Sequence, residues 1–402
     1  MENEFSVKYM IVLGIRPDII NLHPIVKEME KRKCKYTIVH TGQHYSYFFD
    51  KLFFEQLNFP KPDHHLKVGS GTQAQQLASM VERFEKVLVK EKPDLVFSFS
   101  DANPALSGIV ASKMGIKVAH LEAGMRSYDW RMPEEKNRRL MDSISDYLFT
   151  PTSGTKQNLL DEGISPHKIF QVGKLIMDVL HNFRNEIDKN NIMEKLDIEK
   201  RNYFLVTAHR PENVGIKTPL KNILESLDAL YKIYGKRVIF PIHPRTRASI
   251  KSLKLKISEG ITLMDPLGFL EFSKLEKNAF CCVTDSGTVQ EDSCIFRVPC
   301  VTMRISTERS ETVQVGSNIV AGLNKKHIIE AVRIMVNRKT NWNNPYGKPE
   351  CAKKTMDVLE KHEKEILSPK IWWDSPKIKK SYSISSYVNK WKNPLTPDST
   401  FD

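Results

Sequence analysis

Between Leu121 and Arg138 the sequence places four carboxylates (Glu122, Asp129, Glu134, Glu135) and three arginines (Arg126, Arg131, Arg138) within eighteen residues. The run begins at the end of an apolar, strand-like segment. Folding alone would use one or two of those charges. Seven fit a site that moves protons beside a phosphorylated substrate, where carboxylates exchange the proton and cations hold the anion.

Polar groups follow other strand-like runs in the same way. Gly14-Ile-Arg16 leads into a helix, so Arg16 falls near a helix N-terminus that attracts anions, although a glycine turn with a surface arginine reads equally well. Asp101, after residues 95–100, is either a helix cap or a site carboxylate. His209 and Arg210 follow residues 203–207 and can meet a phosphate. In the turn from Thr284 to Asp292, Ser286, Gly287 and Thr288 can offer N–H groups and hydroxyls to a diphosphate, with acidic side chains a turn later for ribose hydroxyls. An ordinary capped helix explains that turn as well.

These groups need strands to end where they stand. Short apolar runs at residues 9–14, 36–41, 95–100, 118–121, 147–150 and 169–172 alternate with amphipathic stretches at 25–31 and 74–89. The rhythm restarts at 203–207 and continues at 238–242, 280–284, 300–303 and 318–320. Strand and helix in alternation predict an α/β fold of two doubly wound parallel sheets in tandem, with the junction near residues 173–200. Ligands of such sheets bind at the carboxyl ends of the strands, so the cleft between two Rossmann-like domains is the expected site. The expected domains are 1–173, carrying the acid/base carboxylates, and 174–367, binding the nucleotide, with the last helix packing back on the first. A tail rich in tryptophan, lysine and proline occupies 368–402 and is expected to pack its tryptophans on the body.

The net charge of +13 suggests a polyanionic partner, but the basic residues are dispersed, without a dense block or aromatic interleaving, which argues against nucleic acid. No CxxC pair occurs among the six cysteines, so a reducing compartment and no structural metal are expected. The sequence has no apolar run near the roughly 20 residues of a membrane span and no signal-like N-terminus, and reads as cytoplasmic. There is no GxGxxG after the first strand, which argues against a dinucleotide fingerprint.

In combination the motifs resemble the non-hydrolysing UDP-N-acetylglucosamine 2-epimerase family, from about Val12 to about Gly322. The resemblance rests on Thr41-Gly-Gln-His44, Glu122-Ala-Gly-Met-Arg126, Pro133-Glu-Glu135 with Asn137-Arg138, His209-Arg210, Asp285-Ser-Gly287 and Glu308-Arg309. It implies the glycosyltransferase-B architecture, a homodimer, no cofactor and a UDP-2-acetamido sugar as substrate. The implied reaction eliminates UDP to a 2-acetamidoglycal and adds it back with C2 inverted, for polysaccharide or glycan precursors. By position, Asp101, Glu122 and Glu134 become acid/base candidates. Arg16, Arg138 and His209 should stabilise the departing pyrophosphate, and Ser286, Gly287 and Thr288 should cradle phosphate. Arg309 should approach that region or the sugar, the backbone near Phe272 should face uracil, and Asp292 the ribose.

Several positions depart from the family pattern. Asn21 stands where lysine is usual, Ser100-Asp101-Ala102 replaces Gly-Asp-Thr, Thr288 replaces a glycine, and Asp292 shortens a glutamate. The Ser286-Gly287-Thr288 turn also resembles the branch acting on UDP-2-acetamido-2,6-dideoxy-L-hexoses. Gln43 and His44 match an allosteric site for a second nucleotide sugar, whereas Ser46 replaces a usual glutamine there. A glycosyltransferase of the same architecture, a hydrolysing epimerase and a non-catalytic sensor are the competing readings.

Overall fold

Central strands in this chain are short, apolar and buried, as in 95–99 (Leu-Val-Phe-Ser-Phe) and 203–206 (Tyr-Phe-Leu-Val). Such runs need helices over both faces, which is the condition for a parallel sheet. The computed structural model describes residues 7–42 and 51–368. In it β1 (Lys8–Leu13), β2 (Lys35–His40), β3 (His64–His65), β4 (Leu95–Phe99), β5 (Lys117–Leu121), β6 (Tyr147–Thr150) and β7 (Ile169–Gln171) form one sheet of order β3-β2-β1-β4-β5-β6-β7. The strands β8 (Tyr203–Thr207), β9 (Arg237–Pro241), β10 (Ile261–Met264), β11 (Cys281–Thr284), β12 (Cys300–Thr302) and β13 (Asn318–Val320) form the other, in order β10-β9-β8-β11-β12-β13. Every pairing is parallel. Two edge strands, β3 and β10, were not expected. Each is short and partly exposed, so neither carries the apolar run that betrays a central strand.

The chain leaves the first sheet at Gly173 and returns near Tyr346. The expected boundary at 173 describes the sheets but not the packing. Leu175, Ile176, Val179 and Ile187 join the core of the first lobe, and so do Cys351, Met356 and Leu359 from the helix Cys351–Lys361. Physically, the apolar stripes of these helices find their partners on the helix Arg16–Lys31, where Leu22, Ile25 and Val26 are fully buried. Arg32 at the end of that helix adds ion pairs to Asp357 and Glu360 at 2.6 and 2.9 Å. Thus the first core draws on residues from both sides of the crossing. No helix among the described residues is long and apolar enough to cross a membrane. The tail beyond Ser368 and the Gln43–His44 pair, with Ser46, lie outside the described residues.

Two glycines give a test of backbone geometry. Gly124, just past β5, has φ +79°, and an added Cβ would stand 2.1 Å from the Thr155 carbonyl oxygen. Gly235, which ends the helix Lys217–Tyr234, has φ +62° with open space around it. Gly235→Ala should therefore cost only about 1–2 kcal/mol, the ordinary penalty of the left-handed region. Gly124→Ala should cost clearly more, because backbone must also move; urea unfolding of the two variants measures the difference.

Candidate active site

The carboxyl ends of β1, β4 and β5 in one lobe, and of β8, β11 and β12 in the other, carry nearly all the residues singled out above. This is where open parallel sheets present their ligand sites. A cavity lies between the lobes, lined from the first by Arg16, Asn21 and Phe53 and from the second by His209, Phe272, Ser286, Thr288, Glu291 and Asp292.

On the first lobe, Arg16 opens its helix, and the Asp18 carboxylate anchors the turn before it by accepting the N–H groups of Gly14 and Ile15 at 2.8 and 3.1 Å. Burial, with Asp101 and Glu122 adding like charge, pushes the Asp18 carboxyl up to about 8 against those two hydrogen bonds. Asn21, at the position where a cation is usual, instead donates to the Pro17 carbonyl at 2.9 Å.

Asp101 does not cap the following turn; the cap position is Ala102. Its Oδ2 meets Arg138 Nη1 at 2.6 Å, while Arg138 Nη2 holds Glu135 at 2.9 Å. Arg138 is buried and, like Asp101, Glu122 and Glu134, is not among the residues that line the cavity. Several of the clustered charges are likewise committed to the fold. Glu135 accepts from the Ser127 and Tyr128 amides and Arg126 forks onto Glu162, while Asp129 pairs with Arg131 and accepts from Ser306 of the other lobe. Arg126 also meets Asp142 at 2.7 Å; Asp142 holds His120, and His120 Nε2 lies 2.8 Å from the Ser100 carbonyl oxygen. That chain of contacts fixes the loop bearing Asp101.

Glu122 and Ser100 both sit in the left-handed region, at φ +64° and +57°. For a non-glycine residue this conformation costs of order 1–3 kcal/mol and persists where the surroundings enforce it, commonly at functional sites. Burial pushes the Glu122 carboxyl up, but Lys174, whose Nζ lies 2.5 Å from Oε1, and then Arg309 outweigh it and hold the group below its usual range. Glu134, in the first turn of the helix Pro133–Ile144, is moved the other way. Burial, then the charge of Asp101, raises its carboxyl, with Arg210 and Arg138 pulling only partly back.

On the second lobe, Asp285 is buried and organises the loop after β8, its Oδ2 accepting from the His209 and Arg210 amides at 2.9 Å each and from Asn213 at 3.1 Å. His209 Nδ1 lies 3.3 Å from Asp285 Oδ1. About a third of the His209 side chain (36%) is exposed in the cleft. Lost hydration nevertheless lowers its imidazole; Asp285 raises it, and the nearby Arg210, Arg16 and Arg245 lower it again, so the balance lies below the ordinary value. The helix Gly287–Phe296 starts at the cavity. Its Ser286 hydroxyl does not cap it but lies 3.0 Å from the Thr288 hydroxyl. An added Cβ at Gly287 would stand 2.8 Å from Glu308 Oε1, so a larger residue there would displace the Glu308 and Arg309 side chains. Asp292 lines the cavity, raised well above the usual carboxylate range by burial and by Glu291 beside it. Arg309 is buried; its Nε meets Glu291 and its Nη1 meets Glu308, at 2.5 and 2.7 Å, so it stands behind the cavity wall.

Three contributors escaped the sequence reading: His120, Asp142 and Lys174. His120 and Asp142 have no sequence signal beyond lying in apolar surroundings. Lys174, directly after the glycine of the crossing, could have been marked as a charge where the chain must be buried. Among the described residues, no cluster of His, Cys, Asp or Glu could hold a metal ion.

Two doubly wound sheets facing across a cleft, with carboxylates gathered at the strand ends of one and a helix starting at the cavity on the other, define an α/β protein of glycosyltransferase-B-like architecture. The chain is an isomerase and belongs to the UDP-N-acetylglucosamine 2-epimerase family, whose model matches residues 27–360. It is 49% identical to the UDP-N-acetylglucosamine 2-epimerase of Methanocaldococcus jannaschii, over 88% of this chain and 99% of that one. The crystal structure of the M. jannaschii enzyme in complex with UDP-GlcNAc and UDP superposes with a TM-score of 0.85 over the same shares of the two chains. The UDP-2,3-diacetamido-2,3-dideoxy-D-glucuronate 2-epimerase of Pseudomonas aeruginosa is 36% identical over 88% of this chain and all of its own. The Neisseria meningitidis UDP-GlcNAc 2-epimerase bound to UDP-GlcNAc is 28% identical, with a TM-score of 0.81 over 88% of this chain and 100% of that one.

Two measurements check the electrostatics. In side-chain ¹⁵N NMR the His209 imidazole should be neutral at pH 7 and titrate below the ordinary 6.5. Arg126→Met should leave Asp142 to His120 and the Gly124 amide, and Glu162 to Arg139, and lower unfolding stability in urea by up to about 3 kcal/mol, with the Ser100–Asp101 loop loosened.

Proposed function

We propose that the enzyme interconverts UDP-GlcNAc and its C2 epimer UDP-ManNAc by anti elimination and re-addition of UDP. Supporting this reading are the 49% identical relative of that name and the opposed environments of Glu122 and Glu134 beside Asp101. Two carboxyl groups driven apart in acidity supply an ionised acceptor and a protonated donor at one pH. Glu122 takes the C2 hydrogen as a proton, the C–H electron pair becomes the C1=C2 bond, and the C1–O pair leaves with the β-phosphate of UDP. The phosphate oxygen then adds back to C1 while Glu134 delivers a proton to the opposite face of C2; in the reverse direction the two exchange roles. Asp101, held by Arg138, stabilises the charge distribution between them.

The diphosphate lies at the start of the helix Gly287–Phe296, where Ser286, Gly287 and Thr288 present N–H groups and hydroxyls. Arg16 faces it across the cleft as a charge, and neutral His209, on the same lobe as the helix, offers a hydrogen-bond donor. Uracil rests near Phe272, and Asp292 meets the ribose. Arg138 and Arg309 act one layer back, through the carboxylates they hold. The working protein is a homodimer in this proposal, which sedimentation will test.

A second reading is the same reaction on a UDP-2-acetamido-2,6-dideoxy-L-hexose. It is favoured by Thr288, which adds bulk where a glycine is usual, and by Asn21, which removes a cation, both at the cavity wall.

Incubation with UDP-GlcNAc in heavy water should place deuterium at C2 without any acceptor and without net release of UDP. No exchange with any of a panel of UDP-2-acetamido sugars, D and L, with and without the 6-hydroxyl, would reject the epimerase reading. Accumulation of free UDP would point to the hydrolysing reaction. Glu122→Gln and Asp101→Asn should each lower kcat by roughly 10²–10⁴-fold or more, with UDP affinity retained in calorimetry.

A further inference from the structure

Lys174 is 1% exposed in its side chain and belongs to neither lobe's sheet. It follows Gly173, whose φ is +95° and whose added Cβ would stand 2.8 Å from Cys351 Sγ. Its main chain is pinned at this crossing: the amide donates to the Tyr346 carbonyl at 3.3 Å, and the Cys351 thiol donates to its carbonyl at 3.1 Å. The side chain is thereby aimed between two carboxylates of different lobes, Glu122 Oε1 at 2.5 Å and Glu291 Oε1 at 2.8 Å. Glu291 itself lines the cavity, on the helix that begins at Ser286 and Gly287.

We propose that Lys174 is a positioning residue for proton transfer at the sugar: its ammonium group, shared by Glu122 and Glu291, fixes the Glu122 carboxylate and ties it to the helix that cradles the nucleotide. The inference rests on the reading of Glu122 as proton acceptor given above. Sharing matters because accepting a proton removes the charge of Glu122. A lysine paired with Glu122 alone would then be a stranded buried cation, which costs several kcal/mol. Glu291 keeps it paired. Burial foremost, with the charge of Glu122 adding to it and Arg309 and Lys174 opposing, holds the Glu291 carboxyl above its usual range. Neutralising Glu122 relieves Glu291 at the moment when it must hold the lysine alone.

The groups that set the Glu122 charge come from every element around it. Lys174 on the crossing, Arg309 after β12 and the Ser100 hydroxyl after β4 favour the carboxylate. The charge of Glu122 in turn raises Asp18 on the helix Arg16–Lys31 and Glu291 and Asp292 on the helix Gly287–Phe296. Lys174 has the shortest contact among the two cations, so its loss should dominate.

The experiment compares the unaltered enzyme with Lys174→Met and Lys174→Arg. It reads the ¹³C titration of the Glu122 carboxyl, assigned with Glu122→Gln, and kcat/KM against pH with UDP-GlcNAc. Glu122 is ionised above its pKa and loses that charge as pH falls through it. Lys174→Met should therefore move both the titration and the acid limb upward by about one pH unit or more, and Lys174→Arg should bring them back. Should Lys174→Met fail to fold, the double variant Lys174→Met/Glu291→Gln removes one charge of each sign and should still shift the titration upward, by less, because the like charge of Glu291 is lost as well. A Glu122 titration unmoved in the folded variant overturns the proposal. Absence of C2 exchange in the unaltered enzyme would instead refute Glu122 as the base, a result the titration does not depend on.

Discussion

The structure turns on a buried line of alternating charge that passes from one lobe to the other: Glu122, Lys174, Glu291, Arg309, Glu308 and Arg304, joined by contacts of 2.5 to 2.8 Å. Each of these groups would be prohibitively costly inside the protein by itself, so each demands its neighbour. The line therefore constrains how the lobes meet. It passes through the chain crossing at Lys174, touches the cavity wall at Glu291 and ends beneath the loop after β12. Proposed chemistry and domain arrangement share one electrostatic condition.

Around that line the parallel sheets do the placing. Every strand of a sheet points the same way, so the loops at its carboxyl edge gather on one side, and two such edges face each other here. The positions gathered are not relaxed ones. Ser100 and Glu122 end adjacent strands in left-handed conformations, held by contacts that run from Glu162 through Arg126, Asp142 and His120 to the Ser100 carbonyl. The charges that seemed too many for folding near Glu122 are largely explained by this support. A carboxylate that must keep a fixed orientation in a low-dielectric site needs neighbours with no freedom of their own.

Environment, not residue type, then separates the carboxyl groups. Glu122 is held ionised by two cations, whereas Glu134, twelve residues on in the sequence, is raised by burial and by Asp101. The same logic leaves His209 neutral among arginines and Asp292 protonation-prone at the cavity wall. One fold thus offers acceptors, donors and anion partners together without any redox group being required by the proposed reaction.

The alternation of strands and helices and the polar groups at strand ends were legible in the sequence, because periodicity and a residue's place after an apolar run are local properties. So were Arg16, His209, Ser286, Thr288 and Asp292 as cavity residues, each near a turn or helix start, and the family itself, carried by several motifs in order; Phe272, also at the cavity, was singled out only through the family resemblance. The edge strands β3 and β10 were missed, being too short and too exposed to show a period. What only the tertiary structure decided is which charges face the cleft and which are consumed beneath it. Arg138 and Arg309 turned inward to carboxylates, Arg126 and Glu135 became supports, and Lys174 emerged between two lobes 52 residues from Glu122 and 117 from Glu291. A charge's role depends on its partners and its dielectric surroundings, and both are set by residues distant in sequence that meet only when the chain folds.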